Sequence, residues 1–146
     1  MAQEAFIGSI PADRLFDPAT DMWVVNNADG SVTVGATDFG LWLAGGIIAF
    51  TCKPRGAEVG AGRGLGTIES AKTVVSVRSP VALRLTEPNE AAEEKPALLN
   101  SDPFGEGWMA RGEPLDWAVD SARLVVAADY REHCLRVAPD ASVDIR

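Results

Sequence analysis

The sequence predicts a mainly β domain with appended helices, an α+β fold, and three observations carry that prediction. Short β-branched runs, among them Val24-Val25, Ile47-Ile48 and Val74-Val75, fill the first two thirds of the chain and are bounded by turn formers. Gly56, Gly60, Gly62, Gly64 and Gly66 recur at a spacing suited to tight turns and sheet corners. After Pro114 the apolar pattern changes to helical spacing.

The elements follow in order. Trp23-Val24-Val25 reads as a strand, Asn27-Ala28-Asp29-Gly30 as a tight turn, and Ser31 to Val34 as the returning strand, with Asp-Gly supplying the positive-φ position that hairpins favour. Phe39 to Leu43 forms a short helical turn. Gly45-Gly46 interrupts it, and Ile47-Ile48-Ala49-Phe50-Thr51 is apolar and branched enough for a buried strand. The glycine-spaced stretch lacks both GK[ST] and a GxGxxG ahead of a helix, so it is read as turns and not as a phosphate loop. Thr67-Ile68-Glu69 and Thr73 to Val77 flank a hairpin tip. Ser79-Pro80 breaks the pattern, and Val81 to Thr86 resumes a strand. Glu90 to Lys95 is polar enough for a surface helix that Pro96 ends. Asp116 is placed as an N-cap, and Trp117, Ala118, Ser121, Leu124, Val125 and Ala128 form one helical stripe, which Tyr130, Cys134 and Leu135 extend or follow as a second helix.

Composition sets the bounds on function. A chain of 146 residues is one domain, and a domain of that size buries about 68–70% of its unfolded surface, enough to need no metal or disulfide. It is expected to be a monomer. Hydrophobic residues make up 47% and charged ones 23%, with mean hydropathy +0.03, the profile of a globular chain. Leu41 to Cys52 is too short for a membrane span, and MAQEAFIGSI lacks the basic and apolar regions of a secretory signal, so the cytoplasm is expected. A formal charge of −8 excludes the basic face that nucleic acid requires. Acidic surface suits encounter with basic partner faces. Cys52 and Cys134 lie far apart without CxxC or metal spacing, so both read as reduced thiols and no metal is expected. His133, the one histidine, is placed in the helical tail at an exposed or helix-end position, and Trp108 in the core. No acid–base pair or nucleophile elbow is recognisable, so the chain is not read as an enzyme.

Lys72 stands in IESAKTV, a turn-like break between two β-branched stretches. Around it, Asp21-Met22-Trp23-Val24, Val34-Gly35-Ala36-Thr37, Glu69-Ser70-Ala71-Lys72, Pro80, Asn89 and the run NSDPFGEGWM from Asn100 to Met109 fall in one order across roughly residues 15 to 136. In that order and spacing the chain resembles the glycine cleavage system H protein family. The resemblance implies a lipoyl-domain-like barrel-sandwich hybrid with a core over about 15–112 and a C-terminal helical segment over about 114–137. It implies that Lys72 carries lipoic acid as a lipoyl-lysine swinging arm, with Ser70 in the turn. Glu69 and Ser70 are then recognition points for the lipoate ligase, although Glu69 reads equally as a solvent-facing strand end. The implied partners are lipoate ligase or lipoyl synthase machinery, a decarboxylase, an aminomethyltransferase and dihydrolipoyl dehydrogenase. A lysine at a hairpin tip suits this role because an acyl arm that visits several active sites needs a root free of packing.

Departures from the family pattern leave two further readings open. Asp21-Met22-Trp23 stands where the family resembles histidine-glutamate-tryptophan, Ala44-Gly45-Gly46 where it has leucine-glycine-aspartate, and Leu83 where it carries glycine. The loss of a carboxylate at position 22 affects how an aminomethyl cation is held, unless Asp21 substitutes. Thr51-Cys52-Lys53-Pro54-Arg55-Gly56 looks like the divergent H-like lipoate-binding branch associated with sulfur oxidation, whose partner is a heterodisulfide-reductase-like complex. The last reading is an unmodified interaction module.

Overall fold

The computed structural model describes residues 4–146. The first three positions of the segment read for a secretory signal lie outside the described residues. Three sheets carry the fold. The largest contains β2 (Leu15–Asp17), β3 (Met22–Asn26), β4 (Val32–Ala36), β6 (Glu58–Val59), β9 (Leu83–Pro88) and β10 (Ala110–Pro114) in the order β2-β3-β4-β10-β9-β6, all antiparallel. A three-stranded antiparallel sheet in the order β5-β7-β8 is formed by β5 (Ile47–Cys52), β7 (Gly64–Ser70) and β8 (Val74–Arg78). A parallel ribbon pairs β1 (Ile7–Ile10) with β11 (Ser142–Ile145), Ile7 facing Ser142. Helices are short: α1 (Asp38–Ala44), α2 (Glu90–Glu94), α3 (Ala97–Ser101), α4 (Trp117–Ser121) and α5 (Ala127–Val137).

The expected mainly β architecture is what forms, with a core on each side of the large sheet. Side chains of successive strand residues point to opposite faces, so β3 sends Met22 and Val24 into the core shared with the small sheet and Trp23 into an aromatic cluster behind it. The shared core holds Val34, Phe50, Leu65, Leu83, Leu85 and Met109. The rear cluster gathers Phe6, Ile10, Phe16, Phe39, Phe104 and Tyr130. Leu83 is fully buried in the shared core, which gives its side chain a packing role at the position that departs from the family. The Asp29-Gly30 turn forms as expected, with Gly30 at φ +88°.

Several expectations need correction. The single stripe from Trp117 to Ala128 is two helices, because Val125 leaves helical geometry to exchange backbone hydrogen bonds with Phe16 at 2.9 and 2.8 Å. Asp116 occupies the N-cap position without a side-chain hydrogen bond; it is Asp120 that is buried, accepting from the Ala82 N–H at 2.8 Å. Pro96 ends α2 and also begins α3, a helix absent from the sequence reading. Trp108 is half-buried and not core. The space beside Gly107 is taken by the Leu98 and Asp102 carbonyl oxygens, within 2.6 and 2.8 Å of where a Cβ would stand, and the indole instead carries the Arg111 guanidinium over its face at 4.4 Å. Phe104 is the ring that anchors this loop. His133 lies inside α5 and is neither exposed nor at the helix end, being held against Phe39, Tyr130 and Asp21. The terminal ribbon was not foreseen, since pairing of β1 with β11 joins segments at opposite ends of the chain.

Candidate functional site

Lys72 sits at the apex of the β7–β8 hairpin, and one hydroxyl shapes that apex. Ser70 N–H donates to the Thr73 carbonyl at 2.8 Å, closing the turn. Ser70 Oγ accepts from the N–H groups of Lys72 at 3.3 Å and Thr73 at 3.2 Å, so a side chain that is itself only 6% exposed satisfies donors the turn would otherwise leave bare. Ala71, Lys72, Thr73 and Val74 remain exposed. Among the described residues no ion pair involves Lys72. Glu69 pairs with Val74 in the ladder and is exposed, also outside those ion pairs.

The floor beneath the lysine is glycine. Gly45 caps α1 at φ +95° with its N–H on the Leu41 carbonyl, and a Cβ there would lie 3.2 Å from Lys72 Cε. The positive φ favours glycine there, and the missing Cβ spares the lysine chain a tight contact. Next to it, Asn100 Oδ1 accepts the Ile47 N–H at 2.8 Å and fastens the start of β5. Asn89 stitches the following loop, donating Nδ2 to the Glu106 and Trp108 carbonyls at 2.9 and 2.6 Å. Both asparagines thus tie backbone groups of the scaffold together.

A cleft of about 350 Å³ runs beside the hairpin between β8 and the Thr20–Met22 turn, with Leu43, Ala44, Thr73 and Val75 along its walls. Asp21 is the acidic residue among those lining this cleft. It adopts φ +55°, and its Oδ1 accepts from Tyr130 Oη at 2.8 Å and contacts His133 Nε2 at 3.1 Å. Tyr130 in turn shares a 2.7 Å hydrogen bond with Thr37 Oγ1, which also accepts the Gly40 N–H. Burial raises the Asp21 carboxyl above its usual range, opposed by its bonds to Tyr130 and His133. Met22, by contrast, is buried in the core and contributes no polar group. His133 of α5 thus brings an imidazole beside Asp21. Sequence reading missed this grouping because Asp21 and Tyr130 are 109 positions apart; the signal available was Tyr130 and His133 at i, i+3 on one helix face.

The two thiols form no disulfide, Cys52 half-buried and Cys134 fully buried. Burial pushes each up to about 12, so neither offers a thiolate at neutral pH. Among the described residues no cluster has the makings of a metal site, and no helix is long and apolar enough to cross a membrane.

Comparison with known proteins agrees with this geometry. The sequence profile of the family described as Glycine cleavage H-protein matches residues 15–136. Glycine cleavage system H protein 2 of Aquifex aeolicus (strain VF5) is 38% identical over 120 residues, 82% of this chain and 74% of the relative. The glycine cleavage system H protein of Marinobacter nauticus is 37% identical over 127 residues, covering 87% and 96%. A crystal structure of a glycine cleavage system H protein from Mycobacterium marinum superposes with TM-score 0.73 at 30% identity, covering 84% of this chain and 97% of that one.

Proposed function

This chain belongs to the glycine cleavage H-protein family, whose members are non-catalytic lipoyl carriers, and on that premise we propose that Lys72 is its lipoyl attachment site. The observation that carries the reading is the apex itself: an exposed lysine, outside the ion pairs of the described residues, on a turn locked by Ser70 and over a glycine that leaves room for its side chain. The residues present fit the group. When bound, lipoate supplies a dithiolane that opens and closes by thiol–disulfide exchange, while the chain supplies position. Ser70 fixes the turn and Gly45 keeps the lysine path clear. Glu69, exposed beside the apex, is the proposed contact for the lipoate ligase or lipoyl synthase machinery.

The cargo follows from the family. We read the chain as a cytoplasmic monomer that shuttles aminomethyl units and redox equivalents among a decarboxylase, an aminomethyltransferase and dihydrolipoyl dehydrogenase. Asp21 supports this reading as the acidic residue among those lining the cleft beside the hairpin, a negative group near enough to favour an ammonium cargo while its carboxyl is held by Tyr130 and His133. One observation favours the sulfur-carrying alternative with a heterodisulfide-reductase-like partner: Met22 fills core where the resemblance places a second carboxylate, leaving the cleft less acidic. Glycine–bicarbonate exchange at the rates of ordinary family members supports the first role, and its absence in a lipoylated chain supports the second.

Intact mass with peptide mapping after co-expression with a lipoate ligase and lipoate tests the attachment site. The expected result is a lipoyl-sized increment on the Lys72 peptide that disappears in Lys72→Ala. An unmodified chain with ligases that load other family members would leave an interaction module as the better reading.

A further inference from the structure

Charge is not spread evenly over this acidic chain. Residues 47–78, which span the small sheet and the connections between its strands, hold Lys53, Arg55, Arg63, Lys72 and Arg78 against two carboxylates, Glu58 and Glu69. That segment carries +3 inside a chain of −8, so the remaining residues carry −11. All five cations are exposed. Among the described residues none of them is in an ion pair, whereas Glu58 is held by Arg84.

The sheet gathers these cations at one end. Lys53 follows β5 and gives its N–H to the Leu65 carbonyl at 2.9 Å, Arg63 precedes β7 and receives the Ser79 N–H on its carbonyl at 2.8 Å, and Arg78 ends β8 opposite Gly64. Three neighbouring strands thus bring one cation each to the end away from Lys72, with Arg55 two residues beyond Lys53. Between this row and the hairpin tip the exposed face is hydroxylic, since Thr51, Thr67 and Ser76 stand opposite one another across the three strands. A depression of about 320 Å³ opens among them, with Lys53 in its lining. Against β5 packs α2, which carries Glu90, Glu93 and Glu94, and Glu93 is near enough to act on the Cys52 thiol. The charge therefore changes sign at β5.

The dimensions suit one partner covering both ends. β7 runs from Gly64 to Ser70, so about 20 Å of strand separates the cation row from the tip that carries Lys72. A stable protein interface covers about 800 Å² on each partner, a patch roughly 30 Å across. An enzyme seated over Lys72 therefore reaches the row without leaving the sheet. A cation that meets no carboxylate of its own chain is open to one from a partner, and such rim pairs speed encounter and fix orientation more than they add affinity. The −11 on the rest of the chain disfavours nucleic acid as the occupant.

We propose that the outer face of the small sheet is the docking surface for the lipoate ligase, which meets Lys53, Arg55, Arg63 and Arg78 with an acidic patch of its own. The inference rests on Lys72 being the attachment site, and it extends ligase recognition from Glu69 at the tip to the opposite end of the sheet. Net charge alone pairs this chain with a basic partner face. The local sign reverses that expectation for the ligase.

Initial rates of lipoylation by the lipoate ligase of the same cell, followed by intact mass over a range of chain concentrations, test the surface. Lys53→Glu/Arg63→Glu should lower kcat/KM about fivefold at about 50 mM NaCl through a raised KM with kcat unchanged, and the loss should fade above about 500 mM. Lys53→Arg/Arg63→Lys keeps the charge and should keep the rate. Arg131→Glu/Arg136→Glu makes the same change in net charge on α5, behind the large sheet, and should leave kcat/KM unchanged. If the double reversal does not fold, Lys53→Gln and Arg63→Gln taken singly carry the test, each expected to lower kcat/KM about twofold. A rate unaffected by the changes at Lys53 and Arg63, or an equal loss in the α5 variant, overturns the docking surface while leaving Lys72 as the attachment site. A wild-type chain that the ligase never loads overturns both readings together.

Discussion

The hairpin around Lys72 and the aromatic cluster around Tyr130 are held by opposite means. At the hairpin, backbone hydrogen bonds and the Ser70 hydroxyl set the shape while the surrounding side chains stay in solvent. In the cluster, Phe16 stacks on Tyr130 at 4.9 Å with an 11° interplanar angle, Phe104 meets Phe16 edge-on, and Trp23 Nε1 donates to the Ala36 and Pro103 carbonyls at 3.1 Å. The first region is free to be covered by another molecule, and the second is already covered by its own chain. Separating them would let the proposed attachment point be modified without disturbing what keeps the domain folded.

Substitutions should break that separation in predictable ways. The largest effect belongs to Lys72→Arg, which should abolish lipoylation altogether while changing stability by no more than about 0.5 kcal/mol, as for an ordinary surface site; intact mass and urea unfolding read the two quantities. Phe16→Ala should do the reverse. Removing a fully buried ring costs about 3–5 kcal/mol, visible as a lower denaturation midpoint, while protein that remains folded still accepts lipoate at Lys72.

An intermediate effect is expected with pH. Burial raises the Asp38 carboxyl from 3.8 to about 6, against the hydrogen bonds it accepts from Phe39 and Ser9. The folded state therefore holds this proton more tightly than the unfolded one, so the stabilisation is complete below about pH 3.8, declines as pH rises and is gone above about 6. Asp38→Asn should flatten that part of the stability profile between pH 4 and 6 in urea titrations. The smallest effect belongs to Ser70→Ala, which removes the acceptor for two turn N–H groups. It should cost about 1 kcal/mol and slow ligation at Lys72, and an unchanged ligation rate would show that the turn needs no hydroxyl.

Local chemistry made the hairpin legible. Glu69 to Lys72 between two branched runs placed the apex correctly, and Gly45-Gly46 marked the end of α1. The cluster resisted reading because its members come from β1, β2, β3, α1 and α5, which no periodicity links. His133 was misplaced for that reason: a histidine inside an amphipathic helix carries no mark of the Asp21 carboxylate that contacts it. Trp108 was misplaced because the space beside its neighbouring glycine went to backbone and not to the indole.

What the sequence determined by itself was a mainly β domain with short helices, an acidic surface and a lysine presented on a tight turn, because each depends on residues within a few positions of one another. Only the tertiary structure decided that the ends of the chain pair as a ribbon, that Val125 divides the last helices and that Asp21 meets His133. Those outcomes depend on which distant backbone donors and side chains remain unsatisfied when the sheets pack, and a buried donor must find its partner wherever the folded chain brings one.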